Sequence, residues 1–560
     1  MYRDVAPALI CLLPKTISII KQPMGCVSIP FRRLPHQPKL FVRLIDDYSS
    51  VKQFYPHAPN MDAVKQVASS LEYPAERRRE VAGILREQNS AFGASDAAMS
   101  NLEKLERGAV AVVSGQQVGL FGGPAYAVYK AVTAIRLAEE LSEAGIPAVP
   151  IFWMATEDHD LDEVRHVTWF DSGKLVRFEL PADSAAGRPV GHVSLGPRIE
   201  ESVKKAVGLL SGPASETISE ALEQCYEPGE TYGSAFGKLF ARLFAEQGLI
   251  LLDPLDARLH RIAAPLYKKA LQDRDELNEK LLQRGKELER AGYDVQVKVT
   301  ARSTLLFTIR DGVRQPVGAS NAHFTSGDAT WTRDEALRLV DASPEAFSAN
   351  ALFRPVVQDY LLPTAAYLGG PAEIAYFGQS SVIYEHLLGR MPVILPRAGF
   401  TILDAKAEKL LQKYGLCIEN LWAGPQELRR KMESVSVPEA LSENFDRDKA
   451  EVEGTLAELG TQIEKLDPTL GGAVTTARNK IAFQLEKLRR KTGRALNQKN
   501  GLLSDHEQFL ENLLYPNKSL QSRELCFLPF LARWGMDGLR ELQKLSGSDT
   551  LGEHRIVRVP

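Results

Sequence analysis

VSGQQVGLFGGPAYAVYK (113–130) and PIFWMATEDHD (150–160) decide the fold class. Each opens on an apolar run of strand length and breaks into glycine and polar residues where a strand should end. In open α/β sheets, ligands bind outside the carboxyl ends of the strands, so the two breaks are expected to face one crevice. The run from Ala109 to Val113 gives way to Ser114, Gly115, Gln116 and Gln117. Gly122, Gly123 and Pro124 follow, then helical spacing at Tyr126, Tyr129, Val132 and Ile135. Proline suits the first helical position, because its missing N–H would lack an acceptor there. The loop is therefore expected to deliver a helix N-terminus that favours an anion. Glutamines side by side in an apolar setting are costly unless paired, so Gln116 and Gln117 read as ligand contacts.

Strand-like and helical segments alternate from 109 onward, which implies βαβ units and a parallel, Rossmann-like sheet. After 160 the pattern loosens. VTWF, LVRFELP and GHVSL read as short strands, and GLILLDP (248–254) as a return to the sheet. A charged helix is expected over about 256–291, and VQVKV with TLLFTIR (295–310) as an antiparallel pair. The sheet resumes at 351–400, where TAAYLGGPAEIAYF repeats the earlier device: GGPA stands at 122–125 and again at 369–372. Two helix N-termini are thus expected at one crevice, or two tight strand-to-helix turns.

From about 447 the period becomes a heptad. Val452, Leu456, Leu459, Ile463 and Leu466 recur at spacings of 4, 3, 4 and 3, the seam of a coiled coil. Asp467-Pro468 supplies an N-cap and a proline at N1, so a second helix starts there and carries Leu470, Val474, Ala477, Ile481, Leu485 and Leu488. An antiparallel hairpin is expected, with a second copy of the chain covering the rest of the seam. The expected organisation is 1–24 as an extension, 25–160 as the first part of the core, and 161–345 as connecting insertions interleaved with core strands. The second part of the core follows at 346–445, the coiled-coil hairpin at 446–500, and a C-terminal segment packing on the core at 501–560.

At 560 residues, with 44% apolar and 25% charged residues, the composition is that of a multidomain globular protein. A net charge of −3 gives no basis for binding nucleic acid or an acidic membrane, and LysLeuArgArgLysThrGlyArg (487–494) reads as a solvated basic face. Five scattered cysteines without a C-x-x-C pair fit reduced thiols in a cytoplasm. APALICLL (6–13) is too short to span a bilayer and lacks a cleavage site, so Met24 is the expected start and 1–24 a disordered tail or misassigned start.

Glu157, Asp158, His159 and Asp160 form the densest ionisable cluster, at a strand end where carboxylates can orient a histidine or take protons from an amine. Asp158 and His159 are the candidate catalytic residues, with Glu157 beside them as a substrate contact. His166 follows seven residues after His159, but the spacing matches no known metal site, and no metal is expected. Around the second GGPA, Arg354, Gln358, Asp359, Glu373, Tyr376 and Gln379 are candidate substrate contacts. Arg354 suits a bidentate carboxylate clamp. Glu373 falls near N3 of its helix, where it complements the dipole or holds a substrate ammonium.

Both motifs resemble the cysteine-adding enzyme family of bacillithiol biosynthesis. So do IPFRRLPHQPKLF (29–41), FYPH (54–57), RPVVQDYLLPTAAYLGGPAEIAYFGQ (354–379), PVILPRAG (392–399) and LYPNKSLQSRELCFLPFLARWG (514–535). The matching segments run in family order over nearly the whole chain after residue 24. The resemblance implies joining cysteine to the amino group of a glucosaminyl malate, and Arg354 would then take the malate carboxylate. An amide forms only from an activated carboxyl, so ATP, with Mg, is implied. The strand–glycine loop–helix at 109–141 also resembles the nucleotide-binding start of class I aminoacyl-tRNA synthetases. Ser114, Gln116, Gln117, Gly122, Gly123 and Tyr126 would then hold the cofactor. The HIGH tetrapeptide of those enzymes is absent, and Lys431-Met432-Glu433-Ser434 resembles their KMSKS loop. Two other classes remain open: a metal-dependent nucleotide or phosphate-ester hydrolase, and a noncatalytic coiled-coil dimer scaffold.

Overall fold

Five apolar segments make the central sheet: β1 (Val110–Gln116), β2 (Ala148–Met154), β3 (Ile250–Leu252), β4 (Thr364–Gly369) and β5 (Val393–Pro396). The computed structural model describes residues 26–182, 187–320, 323–435, 439–498 and 502–559; the expected extension and start at Met24 lie outside the described residues. All four strand pairings are parallel, in the order β5-β4-β1-β2-β3. Every residue of these strands except Gln116 is buried, which is why they read as continuous apolar runs and not as an alternation. The chain builds outward from β1 through β2 to β3, then returns to the far side of β1 for β4 and β5. That reversal sets a switch point between β1 and β4, where a crevice opens beyond the carboxyl ends. Gln116 ends β1 and Gly369 ends β4, so both glycine motifs arrive there.

The two GGPA turns differ. Helix α2 (Pro371–Leu387) follows β4 with Gly370 as N-cap and Pro371 at N1, as the spacing predicts. Helix α1 (Tyr126–Glu143) has Ala125 as its N-cap, so Pro124 stands outside the helix. The turn before it runs through left-handed backbone at Phe121, Gly122 and Gly123, and glycine at two of these removes the Cβ cost. Its donors are taken by protein: the Gly122 N–H donates to the Tyr226 hydroxyl (3.1 Å) and the Ala125 N–H to the Leu525 carbonyl (2.8 Å). The first turn is thus closed by neighbouring chain, in contrast to the anion-binding role expected of it.

Between β2 and β3, His166–Asp171 and Lys174–Glu179 form an antiparallel hairpin. GHVSL does not form a strand. The N–H groups of Val190 and Gly191 donate to the carbonyls of Asp158 (2.7 Å) and Thr156 (2.9 Å), so this segment braces the acidic loop instead. Between β3 and β4, the expected single helix is two, Ala257–Gln272 and Arg274–Arg290, meeting at Asp273. Ser303–Arg310 pairs antiparallel with Val313–Ser320 and with Phe347–Ala349 in a five-stranded sheet. VQVKV is not its partner. The Gln379 side chain substitutes for a strand there, accepting from the N–H groups of Gln296 and Val297 (both 3.0 Å) and donating to the Val297 carbonyl (2.9 Å).

A third sheet joins both chain ends to the middle: Glu553–Arg558 lies between Cys26–Pro30, antiparallel, and Gly399–Leu403, parallel. The coiled coil is the hairpin α3 (Glu439–Leu466) and α4 (Gly471–Gln498). Asp467 accepts from the Thr469 N–H (2.9 Å) at the break. Arg489 pairs with Asp446 (2.8 Å), and Gly460 faces Val474, which fixes the antiparallel register. Lys431, Met432, Glu433 and Ser434 belong to the helix Pro425–Val435 and not to a loop. No described helix is long and apolar enough to cross a membrane.

A candidate active site at the sheet switch point

A cavity of about 720 Å³ opens beyond the ends of β1, β2 and β4, roofed by the antiparallel sheet through Leu305, Phe307 and Arg314. That size suits a small organic substrate pair. Gly115, paired with Trp153 in β2, has no room for a side chain: an added Cβ would meet the Trp153 carbonyl at 2.6 Å. The backbone then turns Gln116 and Gln117 into the cavity. Gln117 donates to Asp158 (2.7 Å) and Glu163 (2.8 Å), while Gln116 donates to the Tyr126 hydroxyl (3.1 Å). One amide row thereby ties the β1 loop to the acidic loop after β2.

Lys130 is the keystone of this wall. Its ammonium is buried and donates to the Gly115 carbonyl (2.6 Å), to Gln116 Oε1 (2.9 Å) and to Glu373, so its three protons have three acceptors. Burial would raise the Glu373 carboxyl, but Lys130 and the Gly370 N–H (2.7 Å) hold it below the ordinary range. Tyr367 donates to the other Glu373 oxygen (2.9 Å). Glu373 thus ties the wall together while lining the cavity. Arg354 lines the cavity and is held in place by donating to Gln358 Oε1 (3.0 Å) and the Tyr367 hydroxyl (3.2 Å).

The acidic loop separates its members by depth. Asp158 accepts from the His159 N–H (2.7 Å) and from Gln117, and fixes the loop. Arg314 donates to His159 Nδ1 (3.0 Å), which requires that nitrogen to be an acceptor and leaves the ring proton on Nε2. Glu157 lies deepest, 8% exposed, with Oε1 lacking a hydrogen-bond partner among the described residues. Burial pushes its carboxyl up to about 8, against the pull of Arg314 and Arg354. His260 Nε2 stands 3.5 Å away, and burial lowers that imidazole to about 4, so it faces Glu157 as a neutral ring. A carboxyl poised near neutrality in a cavity wall is equipped to exchange protons with an amine.

Of the residues expected from the sequence, the cavity gathers Gln116, Gln117 and Tyr126 from the first motif and Glu157, Asp158 and His159 from the second. It adds Arg354, Glu373 and Tyr376 from the third. The others lie elsewhere. Ser114 is fully buried and donates across the sheet to the Leu368 carbonyl (2.8 Å). Gly122 and Gly123 are outside the cavity wall. Gln358 and Asp359 are buried beneath Arg354, and Gln379 holds the 296–297 segment. The KMSKS-like residues are also outside the wall. No group of three or more His, Cys, Asp or Glu side chains converges as metal ligands among the described residues.

The structure adds Lys130, Arg314, Arg397 and Arg523 to the wall. Lys130 had a signal, as a cation one turn after Tyr126 within the apolar first half of its helix. Arg397 follows β5 directly, so the strand-end rule extended to that strand finds it. Arg314 and Arg523 come from distant segments and carry no local signal.

Two family domains match the chain: "Bacillithiol biosynthesis BshC, N-terminal Rossmann-like domain" over residues 24–398, and "Bacillithiol biosynthesis BshC, C-terminal coiled-coil domain" over 400–559. The chain is similar to proteins named "Putative cysteine ligase BshC". That of Koribacter versatilis is 44% identical over 532 residues, 95% of this chain and 99% of the relative. That of Solibacter usitatus is 38% identical, covering 92% and 96%, and that of Salinibacter ruber 32% identical, covering 93% and 96%. With a parallel Rossmann-like sheet, a coiled-coil hairpin and matches along nearly its full length, the chain belongs to the bacillithiol biosynthesis BshC family.

Proposed function

We propose that this protein is a ligase that joins the carboxyl of cysteine to the amino group of glucosaminyl malate. The observation that carries the reading is the cavity at the switch point, where a deep carboxyl, Glu157, whose Oε1 lacks a hydrogen-bond partner among the described residues, stands against a wall of fixed amides and cations. Family membership supports the substrate pair, through the cysteine ligase name that the relatives bear.

Amide formation requires the acceptor ammonium to lose one proton before its nitrogen attacks, and a second as the carbon–nitrogen bond settles. Glu157 is the group to take the first, because its ionised form is costly in this buried site and gains from accepting a proton. Asp158, held by Gln117 and by its own loop, keeps Glu157 and His159 in register. The Nε2–H of His159 is available to donate to a carbonyl oxygen as charge develops there. ATP, when bound, supplies the leaving group that activates the cysteine carboxylate. Cations in the wall fit its phosphates, and Gln116 and Tyr126 line the same space.

The coiled coil supports a homodimer. Leu459, Leu466, Ile481 and Leu488 stay exposed on the hairpin although they continue its apolar stripe. Replacing Leu459 and Leu488 by lysine is expected to convert dimer to monomer in sedimentation velocity; a wild-type monomer contradicts the dimer. The ligase reading is tested with Glu157→Gln: product formation should fall at least a hundredfold at pH 7.5 while cysteine and acceptor still bind. Unchanged turnover removes Glu157 from the chemistry.

A further inference from the structure

The far end of the cavity, away from Glu157, holds an arrangement that the proton chemistry does not use. Arg397 is the first residue after β5, its N–H donating to the Gly369 carbonyl (3.0 Å) beside the end of β4. It is 8% exposed, and it lines the cavity next to Tyr126, whose ring centroid lies 5.6 Å from its guanidinium carbon. One guanidinium nitrogen donates to the Ala398 carbonyl (2.8 Å), while Nε has no acceptor among the described residues. A buried guanidinium without a carboxylate is costly, and a native site keeps one when a ligand completes it.

Arg523 is a second cation on the same wall. It sits on the short helix Gln521–Glu524, which is pinned in place by Gln521: the Ile402 N–H donates to its Oε1 (2.7 Å), and its Nε2 donates to the Ile402 carbonyl (2.9 Å). Burial, and after it the like charge of Arg523, lowers the Arg397 guanidinium to about 10, still charged at neutral pH. Neither arginine has a carboxylate within ion-pair distance among the described residues. The other nearby cations are matched or engaged, Lys130 by Glu373 and Arg354 by Gln358 and Tyr367. His554 cannot relieve the repulsion by accepting charge density as an anion would, since burial holds it as a neutral ring bonded to Thr401 (2.8 Å). The N-terminus of helix α2 lines the same corner through Gly370, Pro371 and Ala372, but Glu373 caps it by accepting from the Gly370 N–H (2.7 Å), so the two arginines carry the site.

From the buried Arg397, whose Nε lacks an acceptor among the described residues, and from Arg523 on the same cavity wall, we infer that this corner is a subsite for a compact dianion. The two charges match a dicarboxylate or a phosphate group, which are oxyanions of the same recognition chemistry. Assigning the dianion to the malyl end of the acceptor rests on the ligation reading above; the subsite itself does not. In that assignment the malyl group is anchored about the β5 corner, and the amine end of the acceptor is directed back toward Glu157. The same two arginines would otherwise hold nucleotide phosphate.

The test titrates L-malate and, separately, inorganic pyrophosphate into the full-length protein by calorimetry, using wild type, Arg397→Gln and Arg523→Gln. At least one dianion should bind wild type and lose tenfold or more in affinity in both variants, and the one that does identifies the source. Arg523 is exposed, so its variant reports even where loss of the buried Arg397 disturbs folding. Absence of binding by both dianions, or undiminished affinity in Arg523→Gln, overturns the subsite. Product formation by wild type is followed in parallel, so that a failed subsite with intact ligation is distinct from a failed ligation reading.

Discussion

Glu157→Gln isolates the titration on which the chemistry depends. The glutamine keeps the shape and removes the proton. Between the ordinary carboxylate value of 4.5 and about 8, the folded chain retains a proton at Glu157 that the unfolded chain has released. Stability from this site is therefore full at low pH and falls as pH rises through that window, by about 1.4 kcal/mol per pH unit, then levels off. From pH 5.5 to 7.5 the loss amounts to about 2.5 kcal/mol in wild type and is absent in the variant. Urea unfolding of both proteins across that range measures it, because the difference between them cancels every other titrating group. The variant should gain on wild type by roughly that amount. A difference that stays constant with pH would mean that Glu157 is already ionised in the fold, and the account of its proton exchange would fail. The same ionisation requires wild-type turnover to rise as pH approaches about 8.

Further predictions concern the walls of the site. Lys130→Met leaves the partly exposed Glu373 carboxylate without its cation, and should destabilise by about 1–3 kcal/mol; adding Glu373→Gln should restore much of this in a double-mutant cycle. Gln379→Leu removes three hydrogen bonds to the 296–297 segment and should cost about 3 kcal/mol. Amide exchange at Val297 should accelerate correspondingly, and unchanged protection would contradict the strand-like role. Gly191→Ala places a Cβ 2.5 Å from Thr156 Cβ and 2.7 Å from Leu255 Cδ1, so the acidic loop must shift. Turnover should fall by more than the stability loss of about 1–3 kcal/mol explains, as read from rates on fully folded protein.

The parallel sheet was legible because its strands are buried on both faces and therefore appear as unbroken apolar runs. The strand-end rule located Gln116, Gln117, Glu157 and Asp158 for the same reason. It misjudged the first GGPA turn, since nothing local reveals that Tyr226 and Leu525 arrive to take its donors. VQVKV has strand composition, but a side chain from helix α2 satisfies its backbone, and pattern alone cannot distinguish the two solutions. Arg354, Glu373 and Gln379 stand out in the sequence by flanking the second GGPA turn. Which of them face a substrate and which hold neighbouring chain is decided by partners hundreds of residues away in sequence.

The most direct test of the ligase reading is an omission series with the purified protein, glucosaminyl malate, cysteine and ATP-Mg, following the mass of the thiol product. The account predicts a product whose mass is that of cysteine plus glucosaminyl malate less one water, formed only when both substrates and the nucleotide are present. Failure to form it with every component supplied would contradict the assignment, and product without nucleotide would contradict the activation step.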